Sequence, residues 1–315
     1  MQSILITVLP VFGMIVVGYV MAKLRIVEET AAQGLTQFVF NLAIPAQLFR
    51  TVVGMPGEDA SPWGFWFAYF AAIGINWIVT ASVARQIGAL SVSGGAAASM
   101  ATGFGNIALL GMPLALAHFG PAAAVPAGLI ISVHAPLLWL AATFHRETSQ
   151  PGGGAGFVKI GRELVFRLAT NAIILALVAA GLWRLTGLGL HPVPDRMLAM
   201  LSDASIPTAL VALGLSLSGF RLRGQWSAML VLIGLKMVLA PALVFLMLRY
   251  AVTVPPLWLK VGVLLAAMPT GANAFLFAHR HGESVAAVSG AVAAGTGLAA
   301  ITASILLYLM DAGLL

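Results

Sequence analysis

The chain has 315 residues, 60% of them hydrophobic and 8% charged, with a mean hydropathy of +1.01; soluble domains carry about 25% charged residues. Apolar stretches of roughly 20 residues recur along the whole length, separated by short polar or Gly/Pro-rich joints. This predicts an all-α membrane protein and excludes a water-driven soluble core and the alternating pattern of a β-barrel. The net charge of +6 does not point to nucleic acid, because the basic residues stand singly at predicted helix ends. The absence of cysteine excludes disulfides, Cys-ligated zinc and thiol catalysis.

Taken in chain order, MQSILITVLPVFGMIVVGYVMAKLRI lacks the basic start and cleavage pattern of a secretory signal and is read as a retained first helix. About ten spans are predicted, near 3–22, 33–53, 63–87, 95–117, 121–143, 164–185, 198–219, 226–250, 257–279 and 284–310. The one long polar segment, Phe144 to Glu163, has the Pro/Gly composition of a linker. It divides the chain into a first five-helix repeat, 1–143, and a second, 164–315. Ten Lys/Arg at the joints on the linker's side, Arg146, Arg221 and Arg223 among them, face five on the other. This asymmetry predicts a multi-pass protein of the cell (inner) membrane with residues 144–163 cytoplasmic and both termini outside.

An odd number of helices per half requires any internal repeat to be inverted. Ile44-Pro45 of the second span returns as Ile206-Pro207 in the seventh, 162 positions later. The ends of the fourth and ninth spans also match, with Gly120 and Gly282 again 162 apart. Between them lie two segments that interrupt apolar runs with helix breakers, GFGNIALLGMP in the fourth span and AAMPTGANAFLFA in the ninth. Such matched interruptions are the best sequence pointer to a midplane binding site. Proline lacks an amide proton and clashes with the preceding turn, and glycine lets the chain leave helical geometry, so backbone groups are released. Those groups cannot face lipid. If the broken fourth and ninth helices cross, Gly105, Asn106, Gly111 and Pro113 meet Pro269, Gly271 and Asn273, with amides and helix ends able to hold an anion. The bland alternative is close packing at glycines and kinking at prolines.

Asp203 and Lys236 each fall within an apolar span, where an ionised side chain costs roughly 2.5–3.5 kcal/mol. They read either as a buried structural pair or as functional groups, Lys236 offsetting an anion's charge and Asp203 serving as a coupling site. At the repeat offset Asp203 corresponds to the neutral Asn41. His134 is a candidate proton site beside its commoner role as a satisfied structural histidine. Gln47, Asn76, Asn171, Thr208 and Ser216 are expected to bond to neighbouring helices. An intramembrane enzyme lacks its residues: there is no HExxH, Asp-rich or GxSxG motif, and SVSGG at 91–95 offers a serine without a base. No catalytic residue, metal site or cofactor is expected.

The first-span run LPVFGMIVVGYVMAKLRIVEETAAQGLTQFVFNLAIPAQLF, the break at 103–113, IPTALVALGLSL and MPTGANAFLFA together resemble the auxin efflux carrier family of secondary transporters. That family includes bacterial malonate- and malate-type carriers and the plant PIN exporters. The resemblance implies two inverted five-helix repeats, similar to bile-acid sodium symporters and the antiporter NhaA. It implies that the first, second, sixth and seventh helices form a scaffold, with the crossed fourth and ninth in a unit that moves against it. The expected activity is secondary active or facilitated transport of a small organic anion, mono- or dicarboxylate, auxin-like or malate/malonate-like, by an elevator-type cycle. Alternatives are a sodium- or proton-coupled symporter of the bile-acid type and, from another class, an intramembrane enzyme. The expected partners are that anion and the lipid bilayer; H⁺ or Na⁺ as coupling ion and a homodimer stay open.

Overall fold

The computed structural model describes residues 2–54, 62–149, 157–220 and 225–314. The Pro/Gly centre of the linker and the basic residues Arg221 and Arg223 lie outside the described residues. The described residues are almost entirely helical. In chain order they form α1 (Gln2–Lys23), α2 (Glu29–Phe38), α3 (Ile44–Gly54), α4 (Pro62–Ala84), α5 (Ala96–Gly103), α6 (Met112–Phe119), α7 (Ala124–Thr148) and α8 (Phe157–Ala169). There follow α9 (Ala172–Leu185), α10 (Pro192–Leu217), α11 (Trp226–Gly234), α12 (Ala240–Tyr250), α13 (Pro256–Ala266), α14 (Ala272–His281) and α15 (Val285–Asp311).

Among the described residues, six continuous helical stretches are long and apolar enough to cross a membrane: Ile6–Lys23, Pro62–Ala84, Pro121–Thr148, Pro192–Leu217, Trp226–Tyr250 and Val285–Asp311. Their outer faces carry large apolar side chains such as Phe67, Ile78, Val238 and Ile301, all well exposed, as contact with lipid requires. The predicted spans at 33–53, 95–117, 164–185 and 257–279 are instead assembled from shorter pieces. The linker is helical at both ends, because α7 continues to Thr148 and α8 begins at Phe157. His145 and Arg146 in the last turn of α7 favour that extension by facing the negative helix end.

Three five-residue π segments, Val39–Ala43, Ile107–Gly111 and Leu235–Leu239, run directly into α3, α6 and α12. Each stands just ahead of a proline, Pro45, Pro113 or Pro241. A proline within a helix cannot donate to the carbonyl four residues back and crowds it, and a widened turn relieves the clash. Asn41 and Lys236 therefore sit in distorted turns rather than in regular helix. Pro113 does not break the fourth span; it is accommodated near the start of α6.

The predicted sixth span breaks at Thr170–Asn171. Asn171 is the N-cap of α9: its Oδ1 accepts from Ile173 N–H at 2.9 Å and Ile174 N–H at 3.2 Å, while Nδ2 donates to Ser132 O at 3.3 Å. The expected interhelical amide thus also starts a helix. Asn171→Ala is expected to lower the melting temperature of the purified protein, at a cost of about 1 kcal/mol for the lost cap. An unchanged melt would mean that the cap adds nothing.

The chain divides into two compact units, and neither coincides with a half of the sequence. The first comprises Met1–Ser61, Ala108–Ser132 and Arg167–Gly219; the second Pro62–Ile107, Val133–Phe166 and Phe220–Leu315. Within the first, α1 packs along α10, which also lies against α2 and α3, with α9 on α3. Gln47 Oε1 accepts from Ser205 Oγ at 3.1 Å, joining the two Ile-Pro segments. Within the second, α4 packs on α5 and α12, and α15 on α11 and α14.

Candidate functional site

The site lies in the second unit, where the breaks of the fourth and ninth spans meet. Helix α5 ends at Gly103 and the chain turns extended at Phe104. Asn106 N–H donates to Pro269 O at 2.8 Å and Gly271 N–H donates to Phe104 O at 2.9 Å. Gly105 is thereby paired antiparallel with Thr270, and residues 104–106 and 269–271 form a minimal two-stranded link. The two predicted breaks are thus in backbone contact. The expectation that their released amides stand free is corrected at Asn106 and Gly271, which use theirs on each other's segments, because an unpaired buried amide is costly.

Three carbonyls at the end of each broken half-helix are also claimed. At the end of α5, Met100 O accepts from Phe104 N–H, Ala101 O from Thr270 Oγ1 at 2.9 Å, and Thr102 O from Asn76 Nδ2 at 3.2 Å. At the end of α13, Val263 O accepts from Ala267 N–H, Leu265 O from Met268 N–H, and Ala266 O from Lys236 Nζ at 2.6 Å. Lys236 is 1% exposed, and among the described residues no carboxylate lies within ion-pair distance of it. Its ammonium faces the negative end of α13.

Two glycines allow these groups to approach. A Cβ at Gly105 would stand 3.1 Å from Lys236 Nζ and 3.1 Å from Ile107 Cγ2. At Gly271 it would stand 2.9 Å from Phe104 Cδ1 and 3.1 Å from Gly105 O. The breakers seen in the sequence therefore serve close contact as much as freedom of backbone.

His134 borders the crossing. Its Nε2 accepts from Gly105 N–H at 3.3 Å, which assigns the proton of the neutral ring to Nδ1. The ring packs edge-on to Phe104 at 4.8 Å and beside Tyr69 and Phe70. Among the described residues, five buried polar atoms of this unit have no hydrogen-bond partner, His134 Nδ1, Tyr69 Oη and Asn76 Oδ1 together with Glu283 Oε2 and Thr302 Oγ1. Of these residues, His134 and Asn76 touch the broken segment at Gly105 and Thr102.

The other predicted residues are dispersed. Asn273 is half-buried in the first turn of α14. Gly111, Pro113, Asn41 and Asp203 belong to the first unit; Asn41 and Asp203 are exposed on their helices, four residues ahead of Pro45 and Pro207. Sequence reasoning missed Thr270, although its hydroxyl lies inside the Pro-Thr-Gly break. It also missed a buried polar knot in the second unit. Glu283, 3% exposed, accepts through Oε1 from Ser93 Oγ at 2.7 Å and Arg146 Nε at 2.9 Å. Ser93, the serine of SVSGG, is thus engaged with a carboxylate that Arg146 neutralises. Burial and the nearby Arg146 push the His281 imidazole down from its ordinary value, with Glu283 opposing.

The described residues form a helical protein with apolar helices long enough to cross a membrane. Residues 3–307 match the Membrane transport protein family, and the chain belongs to it, the auxin efflux carrier family. A "Putative malonate transporter" of Rhizobium meliloti (strain 1021) is 30% identical over 318 residues, covering 98% of this chain and 96% of that protein. An "Uncharacterized transporter" of Methanothermobacter thermautotrophicus is 26% identical, covering 94% and 95%. "Auxin efflux carrier component 8" of Arabidopsis thaliana is 29% identical over 157 residues, 49% of this chain and 42% of that protein. The chain is a transporter and not an enzyme.

Proposed function

We propose that this transporter carries a small organic anion, a mono- or dicarboxylate of the malonate kind, across the cell inner membrane by an elevator-type cycle of alternating access. The observation that carries this reading is the buried Lys236 amino group, which has no acid partner among the described residues, beside the paired breaks at Gly105–Asn106 and Pro269–Gly271. An ionised carboxylate is very costly to desolvate alone, and so is an ammonium; together they lower each other's cost. In this reading the Asn106 and Asn273 side chains supply neutral donors to the anion, while the Ala274 amide of the first turn of α14 is already used on Gly271 O. The name of the Rhizobium relative supports a dicarboxylate as the first substrate to test.

The two inverted five-helix repeats, 1–143 and 164–315, are part of the same reading. What supports it is that each compact unit draws on both halves of the chain, an arrangement that repeats exchanging helices would produce. The Lys/Arg asymmetry supports a cytoplasmic linker with both termini outside. Coupling sites at Asp203, Asn41 or His134 have no comparable support: the first two are exposed on the other unit and the third is caged by aromatic rings.

Protein reconstituted in vesicles preloaded with malonate is expected to accumulate labelled malonate by counterflow, saturably and with competition from other small carboxylates. No counterflow with any member of a mono- and dicarboxylate panel would reject an organic-anion carrier.

A further inference from the structure

The two half-helix ends at the crossing are capped in the same way but not with the same charge. Thr102 O, at the end of α5, accepts from Asn76, a side chain of α4. Ala266 O, at the end of α13, accepts from Lys236, a side chain of the π segment between α11 and α12. In each half the cap comes from the helical span that precedes the broken one, and the two caps are 160 residues apart in sequence. A neutral amide is sufficient in the first half. A lysine in the second half therefore brings, when protonated, a charge beyond what hydrogen bonding needs, at 1% exposure and with no carboxylate partner among the described residues.

An anion entering such a place needs a positive charge, supplied either by the protein or by a metal cation that enters with it. A cation bound at this crossing would be drawn to the half-helix carbonyls, and Lys236 Nζ already occupies that position against Ala266 O. Gly105 has no side chain to hold the ammonium away from the crossing, since a Cβ there would come within 3.1 Å of it. We infer that Lys236 is the resident counter-cation of the crossing, so that loading the site with an anion requires no sodium or other alkali-metal ion. This rests on reading the crossing as the anion site, but it is tested without any substrate.

Thermal unfolding of the purified full chain is measured in sodium, potassium and choline chloride at equal concentration, so that chloride is constant. Wild type is expected to melt alike in all three salts. Lys236→Gln keeps a neutral cap like that of Asn76 and is expected to melt lower in choline and to gain a sodium-specific rise of about 2 °C or more. A sodium-specific rise in wild type would overturn the inference. So would a Lys236→Gln variant that matches wild type in every salt, or one that melts lower without responding to sodium, since the lysine would then be only a cap. Should Lys236→Gln fail to accumulate, the wild-type comparison and Lys236→Arg, expected to be indifferent to sodium, decide the question. Salt-indifferent melting of wild type together with absent malonate counterflow would count against the substrate reading alone.

Discussion

Valine at Gly214 is expected to prevent accumulation of folded protein, whereas alanine at Gly13 leaves it unchanged. Helices α1 and α10 touch through their backbones. A Cβ at Gly214 would stand 2.0 Å from Ile15 O and 2.8 Å from Tyr19 N, and one at Gly18 would stand 2.3 Å from Val211 O. Backbone atoms cannot turn aside as a side chain can, so the helices would have to separate by roughly 1 Å or more to restore ordinary contact. In a bilayer small residues at such a seam are what permit association, because lipid offers no competing hydrophobic force. Overpacking typically costs 1–3 kcal/mol, and a clash with main chain belongs at or above the top of that range. Gly13, also on α1, meets nothing within 4 Å and is the control. Size-exclusion profiles and melting curves in detergent read the result. A Gly214→Val protein that is monodisperse and melts like wild type would show that α1 and α10 are not held at this distance.

Gly105→Val is expected to weaken anion binding by at least about tenfold while the protein stays folded. The atoms nearest to a Cβ at this position are Lys236 Nζ and Cε and Ile107 Cγ2, the ends of side chains and not main chain. They can move, and moving the ammonium is the functional lesion. Truncating or displacing one member of a buried charge pair typically costs 2–5 kcal/mol of binding, which is a loss of at least about tenfold. Gly271→Ala makes the useful contrast, because its Cβ would meet Gly105 O at 3.1 Å and would strain the link itself. Both variants are expected to melt below wild type, Gly271→Ala the further because its clash is with main chain.

The crossing was legible in the sequence because Pro, Gly and Asn in an apolar run have few other uses, and two such interruptions at matching places reinforce each other. Lys236 was legible as a charge where charge is expensive. What its ammonium bonds to was not, because Ala266 is 30 residues away and the choice depends on which carbonyl the broken helix leaves unclaimed. The fate of the released amides was likewise hidden: the pairing of Asn106 with Pro269 and of Gly271 with Phe104 spans more than 160 residues. At Asn171 the cap signal was present but lay inside a run apolar on both sides, and hydropathy alone joined α8 to α9 across it. The π segments could have been anticipated from Pro45, Pro113 and Pro241, since a proline embedded in a membrane helix demands a local widening or a kink.

Equilibrium binding of radiolabelled malonate to the purified protein, with wild type measured beside Gly105→Val and Lys236→Gln, tests directly whether the crossing holds the anion. Wild type is expected to bind saturably, to the same extent in sodium and in choline, with affinity reduced at least about tenfold in both variants. Malonate bound by both variants as tightly as by wild type would contradict the assignment of the site.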